Sequence, residues 1–286
     1  MPTSNAFKTD EQFTNGRSPH KQIQDKLARS KKAQLYLWKK RTLFIGRFDN
    51  TLDLSQGAAT LTIALEKPFS YTTKRNQQTI YCRSLIIPAG YTIKVDTHKA
   101  LIANCNLDVL GHDYFSLFSL AKDKVNGLGS NLSNEEQLIE DFLLMFNRSL
   151  SSHESYQHLD KTLHPKQESE PNLPATDHRI KKVIEYIQNT VNQHTTGEEL
   201  AQLVNLSIPR LAQLFKQQTG IPIRRYRLWH RLYLTAHNVG SGRNLTDAAI
   251  EAGFTDSSHF VRTFRAMLGM SPSCILSQGK NTQIII

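Results

Sequence analysis

DAAIEAGFTDSSHFVRTFRAMLGMSP, residues 247–272, and AQLVNLSIPRLAQLFKQQTG, residues 201–220, are two copies of one pattern. In the earlier copy Ala201, Asn205, Leu206 and Ser207 lead into Leu211, Phe215 and Gly220. In the later copy Ala249, Gly253, Phe254 and Thr255 lead into Phe260, Phe264 and Gly269. The offset is 48 residues before the turn and 49 after it, so the second unit has one extra residue near its turn. Each copy reads as helix, turn, helix. A repeated two-helix unit in a basic segment points to a protein that puts two helices into DNA.

The local signals around the first copy are mutually consistent. Arg179–His194 places Ile180, Val183, Ile184 and Ile187 on one helical face. Thr196 with Glu199 forms a capping box that opens a helix from Gly197 to Val204. Asn205-Leu206 makes the turn and Ser207 caps the next helix. Pro209 falls in the first turn, where a missing N–H does little harm. Gly220 ends the helix and Pro222 stops it from continuing.

The inward faces then define the outward ones. Leu211, Leu214 and Phe215 go to the core, which leaves Pro209, Ala212, Gln213 and Lys216 outside, with Arg210 at the edge. In the second copy Phe260 and Phe264 go inward. Ser258, Val261, Arg262 and Arg265 face out, with Ser257 and His259 at the N-terminal end. Arg262 is the leading candidate for base contact, because arginine can bridge guanine O6 and N7; Gln213 follows, since glutamine suits adenine. Between the units, Ile223 to about Val239 is a helix of roughly 17 residues and about 25 Å. A strut of that length can hold two recognition helices about one DNA turn apart. Arg224 and Arg225 on it are candidates for phosphate, together with Lys216, Arg210 and Arg265. Arg231 suits either phosphate or a carboxylate joining the two subdomains; Tyr226 and Trp229 read as packing.

Charge is unevenly spread over the 286 residues, whose net charge is +10. Residues 1–41 carry +7, residues 42–177 carry −4 and residues 178–286 carry +7. A basic C-terminal third beside an acidic middle favours a nucleic-acid module joined to something else. The chain is long enough for two domains. Residues 1–33 read as a polar, basic leader, with a basic helix starting near Lys21 and running towards Trp38. Short strands follow at Thr42–Phe48, Ala58–Leu65, Thr79–Ile87 and Ala100–Val109, separated by turn signals such as Asp49-Asn50 and Pro88-Ala89-Gly90. Strands without intervening helices suggest a sandwich or small barrel. Phe44, Ile63, Ile86 and Ile93 would line its inside, as filled core or as a pocket wall.

Asn134–Leu150 reads as an amphipathic helix with Leu138, Phe142, Met145 and Phe146 on one face, started by a Ser133/Glu136 capping box. The proline-rich stretch 164–177 is the linker, which sets 34–163 as a sensing or dimerising domain and 178–280 as the DNA-binding domain. Cys82, Cys105 and Cys274 are far apart and odd in number, so neither a disulfide framework nor a cysteine zinc site is indicated. No apolar run is long enough to span a membrane, and Ile284-Ile285-Ile286 is too short to anchor anything. A cytoplasmic location is expected.

Residues 178–278 resemble the AraC/XylS family of bacterial transcription regulators. Residues 247–272 carry that family's second helix-turn-helix signature nearly in full. Leu206-Ser207, Leu211, Leu214-Phe215-Lys216 and Thr219-Gly220 match its first unit, and Pro222, Tyr226, Arg231, Leu232 and Ala236 match its linker helix. Pro209 and Ala212 depart from it, offering no hydrogen bonds where readout is expected. The resemblance implies seven helices holding the two units. Ile86-Ile87-Pro88-Ala89-Gly90-Tyr91 resembles the strand-Pro-Gly turn of the cupin-type barrel joined to such modules. The fold class is therefore α+β, a cupin-like β-barrel with a helical extension followed by an all-α domain. Metal-binding cupins use paired histidines and a carboxylate. The barrel stretch has only His98, with His112 just beyond, so no metal and no cofactor are expected. The implied function is a sequence-specific regulator, an activator, with double-stranded DNA and RNA polymerase as partners. A homodimer is expected, and a small-molecule effector is left open. The alternative is a DNA-binding protein whose N-terminal domain is catalytic or accepts alkyl groups. That chemistry needs an activated cysteine or metal cluster, which the sequence does not display.

Overall fold

The computed structural model describes residues 32–49, 51–55, 57–73, 78–110, 112–148, 150–164, 175–191, 193, 195–276 and 282–286. The leader, the start of its basic helix at Lys21 and the heart of the expected linker lie outside them.

Short apolar segments in the first half pair into two sheets. The strands are β1 (Ala33–Leu37), β2 (Thr42–Gly46), β3 (Leu52–Leu54), β4 (Thr60–Ala64), β5 (Phe69–Thr73) and β6 (Ile80–Cys82), followed by β7 (Ser84–Ile87), β8 (Ile93–Asp96), β9 (Ile102–Asn106), β10 (Ala121–Val125) and β11 (Leu128–Leu132). A last strand, β12 (Thr282–Ile285), comes from the C-terminus. The larger sheet has the order β10-β11-β7-β4-β9-β2-β1-β12 and the smaller β3-β8-β5-β6. Between them lies a core that includes Leu52, Phe69, Leu85, Ile93 and Val95. Strand β4 is buried at all five positions, Thr60 and Thr62 included. Ile63, Ile86 and Ile93 are filled core; Phe44 belongs to a different cluster, described below.

Several expectations change here. The basic helix expected towards Trp38 gives way to β1, which pairs antiparallel with β2 and parallel with β12. Two helices unmarked in the sequence flank the sheet, α1 (Asp113–Ser119) and α3 (Ser152–Leu163). The expected amphipathic helix is α2 (Glu135–Asn147), and Leu138, Phe142, Met145 and Phe146 are buried as its spacing requires. Its Ser133/Glu136 capping box does not form. Asn134 is the N-cap, and Glu136 instead pairs with Arg83 at 2.6 Å while Glu135 accepts from the Ser84 hydroxyl at 2.7 Å. Tertiary partners outcompete the local one.

The second half contains seven helices among the described residues, the number implied by resemblance: α4 (His178–Asn189), α5 (Gly197–Leu203), α6 (Ile208–Thr219), α7 (Ile223–Gly240), α8 (Leu245–Glu251), α9 (Ser257–Leu268) and α10 (Ser273–Leu276). Their caps follow the sequence. Thr196 and Glu199 make the capping box, Ser207 accepts from the Arg210 N–H, and Gly220 ends α6 in the left-handed region. Asn205, in the first turn, has φ +52°. Ile180, Val183, Leu211, Phe215 and Tyr226 form one core around the first unit. The second unit does not close on itself. Phe254, Phe260, Phe264 and Leu232 share one cluster with Leu35, Leu37 and Phe44 of β1 and β2. Residues 32–286 accordingly form a single compact unit.

Candidate nucleic-acid interface and the contacts behind it

Two helices carry the residues singled out for DNA. On α6, the buried stripe Leu211, Leu214 and Phe215 fixes the rotation of the helix, so Pro209, Arg210, Ala212, Gln213 and Lys216 are exposed. The Arg210 guanidinium donates to the Gln213 side-chain oxygen at 3.0 Å. On α9, Phe260, Thr263, Phe264 and Met267 are buried, and Ser257, Ser258, Arg262 and Arg265 are exposed. Asp256 caps α9 by accepting from the His259 N–H at 2.7 Å. The His259 ring is half-buried, edge-on to Phe254, with Nδ1 at 3.1 Å from the Thr255 hydroxyl. Thus His259 is tied into the turn. Val261, expected on the outer face, is half-buried against the second unit's core.

The strut is α7, 18 residues and about 27 Å long. Its arginines divide. Arg224 is exposed. Arg225, expected on phosphate, turns the other way: its guanidinium donates to the Ser55 carbonyl and, at 2.8 Å, to the Ser55 hydroxyl. Burial pushes its pKa below the ordinary arginine value. Arg227 donates to the Thr195 carbonyl at 2.6 Å, tying α7 to the loop before α5. Arg231 packs beside Gly253, and among the described residues it pairs with no carboxylate and its buried Nε has no hydrogen-bond partner. Tyr226 is buried and Trp229 half-buried, both in packing roles.

The N-terminal sheets hold both units from behind. The Ser55 N–H donates to the Met267 carbonyl at 3.2 Å, so the segment after β3 rests on the end of α9. Gly57 lies against the Trp229 side chain, and the β7–β8 turn meets the α6–α7 turn, Gly90 against Ile221 and Gly220 against Ala89. At the far end of α7, Gly240 packs against Ile284 of β12. None of these contacts covers the outer faces of α6 or α9.

Behind α7 is a cavity of about 590 Å³. Leu35, Leu37 and Phe44 of the sheet form one wall and Trp229, His230 and Tyr233 another, and both tryptophans of the chain border it. The sequence left the inside of the barrel open as filled core or as a pocket wall. The space lies instead between the sheet and the strut, because apolar residues of β1 and β2 face the helices. His230 is buried, and that burial pushes its pKa down to about 4, so the ring is neutral at pH 7. Beside the cavity is an ion cluster, buried at Arg41 and Asp113. Arg41 is held by Asp113 (2.7 Å) and Asp160 (2.6 Å), with His164 Nε2 at 3.1 Å from Asp113.

Cys82 and Cys105 are buried, which pushes both thiols above the ordinary range. Cys274 is exposed.

A helix-turn-helix domain model matches residues 200–278. The HTH-type transcriptional activator RhaS of Klebsiella pneumoniae is 34% identical over 109 residues, 37% of this chain and 38% of that one. RhaS of Escherichia coli is 31% identical over 114 residues, 38% and 40% of the two chains. The match thus spans about two fifths of these curated relatives. Among solved structures, ToxT from Vibrio cholerae aligns with TM-score 0.54 at 12% identity, over 82% of this chain and 97% of that one. An unsaturated fatty acid bound ToxT gives TM-score 0.55 at 9% identity, over 83% and 95%. These two likenesses concern the fold, and they run through both the sheets and the helices.

Proposed function

With a DNA-binding domain of the AraC/XylS family as premise, we propose that the chain is a sequence-specific transcription regulator, an activator, that reads two successive major grooves. The observation that carries this reading is the outward exposure of α6 and α9 from units joined by one continuous helix. Arg262 and Gln213 are the principal base readers, with Ser257, Ser258 and His259 beside them and Pro209 and Ala212 making apolar contact. Lys216, Arg210, Arg224 and Arg265 take phosphates. Arg225 takes a phosphate only if its bond to Ser55 opens.

Residues 34–163 are the sensing or dimerising part, 164–177 the linker and 178–280 the DNA-binding part, with β12 completing the N-terminal sheet. A homodimer that contacts RNA polymerase in the cytoplasm completes the reading. The apolar cavity behind α7 is the effector site; its volume falls within the range of small-molecule pockets. ToxT supports this reading by analogy, as a neighbour of the same fold that is known with an unsaturated fatty acid bound. An alkyl-accepting or catalytic role is disfavoured by the buried, unactivated state of Cys82 and Cys105.

The test is hydroxyl-radical footprinting of the full chain on genomic fragments recovered with it. The expected result is two protected patches per monomer, one helical turn apart on the same face. Protection of a single groove per monomer would refute the two-helix reading.

A further inference from the structure

The outer faces of the two recognition helices differ in chemistry. On α9 the exposed Ser257, Ser258, Arg262 and Arg265 all carry hydrogen-bonding side chains. On α6 the exposed Pro209 and Ala212 carry none. Pro209 and Gln213 are four residues apart and so are neighbours on the helix surface, with Ala212 beside them. Gln213 is thus a polar group set in an apolar patch, and its chemistry decides what this part of α6 reads.

Arg210 narrows that chemistry. Its Nη1 donates to the Gln213 side-chain oxygen at 3.0 Å. A guanidinium only donates, so the atom facing it is Oε1, and the Nε2 amide group is the one left for a base. A bidentate grip on adenine needs both ends of the glutamine, Oε1 to accept from N6 and Nε2 to donate to N7. With Oε1 turned to Arg210, Gln213 meets a base as a donor. Arginine has five N–H donors, so Arg210 can hold Gln213 and a backbone phosphate at once.

In the major groove thymine presents an O4 acceptor next to a C5-methyl group. Guanine presents acceptors without a methyl, adenine an acceptor beside an amino group, and cytosine a donor. A donor set in an apolar patch matches thymine best. Resting on the two-groove reading above, we infer that α6 reads a thymine, not the adenine that a glutamine by itself suggests. Gln213 Nε2 donates to O4, and Pro209 and Ala212 pack on the methyl. Arg210 is the positioning residue that keeps Gln213 from gripping adenine.

The test uses base analogues in a site recovered by the footprint, with binding of the full chain followed by gel shift. Uracil in place of thymine removes the methyl alone, and 7-deazaadenine in place of adenine removes N7 alone. Each thymine and each adenine of both protected patches is replaced in turn. One thymine is expected to weaken binding about fourfold when replaced by uracil, the factor that burial of one methyl group supplies. 7-Deazaadenine opposite it is expected to have no effect. In Arg210→Ala, which frees Oε1, that same 7-deazaadenine is expected to cost about fivefold, as the glutamine takes up the bidentate grip. Loss of a phosphate contact alone would instead weaken binding to every analogue equally. Insensitivity to uracil at every thymine overturns the inference, and so does a wild-type loss on 7-deazaadenine opposite the sensitive thymine. An unchanged pattern of analogues in Arg210→Ala overturns it too, since the thymine would then belong to another reader. A footprint with a single protected patch refutes the two-groove reading; two patches without a uracil-sensitive thymine refute this inference alone.

Discussion

Replacing Gly269 by alanine should loosen the grip of the N-terminal sheets on the second recognition helix, and Gly220→Ala provides the control. Both glycines end a recognition helix in the left-handed region, with φ +69° and +79°. Each substitution therefore carries the same backbone cost, about 1 kcal/mol. Their surroundings differ. A Cβ on Gly220 would meet Ala89 at 3.4 Å, an ordinary contact. A Cβ on Gly269 would sit 2.6 Å from the Asp53 nitrogen and 2.8 Å from its oxygen, and backbone cannot rotate aside. Strand β3, to which Asp53 belongs, must withdraw. It would take with it the Ser55–Met267 backbone bond and the Arg225–Ser55 pair. Losing one neutral and one charge-assisted hydrogen bond adds about 2–4 kcal/mol. Equilibrium urea unfolding, followed by far-ultraviolet dichroism and tryptophan fluorescence, should therefore show a loss of about 1 kcal/mol for Gly220→Ala and about 3–5 kcal/mol for Gly269→Ala. If the sheets release α9 without unfolding, the two probes should cease to coincide in Gly269→Ala only. Equal losses for the two variants, with coincident probes, would show that Asp53 does not bear on α9 and would refute the argument.

Arg262→Ala should weaken binding to the preferred site by about 1–3 kcal/mol and relax preference at one base, while binding to random DNA changes little; gel-shift titration on single-base variants checks this, and a uniform loss would make Arg262 a phosphate anchor. Removing residues 282–286 uncovers the edge of β1 and the flank of Gly240. The half-buried Ile284 and Ile285 together with the lost strand pairing are worth about 2–4 kcal/mol, so a lower melting temperature and self-association by sedimentation are expected; an unchanged monomer would count against any structural role for β12. His230 has its pKa lowered from 6.5 to about 4. The unfolded chain thus binds the extra proton first, and stability should fall as pH drops from about 6.5 to 4, by on the order of 3 kcal/mol. His230→Phe should lack that part of the profile in calorimetric scans, and an identical slope in both proteins would contradict the burial of a neutral ring.

The helical half was legible because its determinants are local. Caps at Thr196, Ser207 and Gly220 and apolar spacing at Leu211, Leu214 and Phe215 act within a few residues of one another, and the structure keeps all of them. The sheets were legible at β2, β4 and β9, and at Thr79–Ile87, which was expected as one strand and is split into β6 and β7 of different sheets. Three-residue strands such as Leu52–Leu54, and the polar Ala121–Val125, carry too little pattern to stand out. What the sequence could not show were contacts made with distant partners. Arg225 was read as a phosphate ligand from its charge and its place near the start of a basic helix, but its partner, Ser55, is 170 residues away. Likewise Ile284 and Ile285 looked like a terminal afterthought until paired with Leu35 and Tyr36. The place of the cavity was not legible because strand alternation says which faces are apolar, not which of them a helix will cover.

These distant contacts converge on α7. Ser55 holds its first turn through Arg225, Gly57 touches its middle at Trp229, and Ile284 rests on its last residue, Gly240. The cavity opens along the same helix, beside Trp229, His230 and Tyr233. A helix of 18 residues is stiff along its axis, so what moves one end moves the other. The position of α7 is thereby held at three points by the N-terminal half, and an effector in the proposed site would add a fourth. An occupant with equal affinity for every position of α7 could not shift it. One that favours a single position can, because Trp229 and Tyr233 of the cavity wall move with the strut.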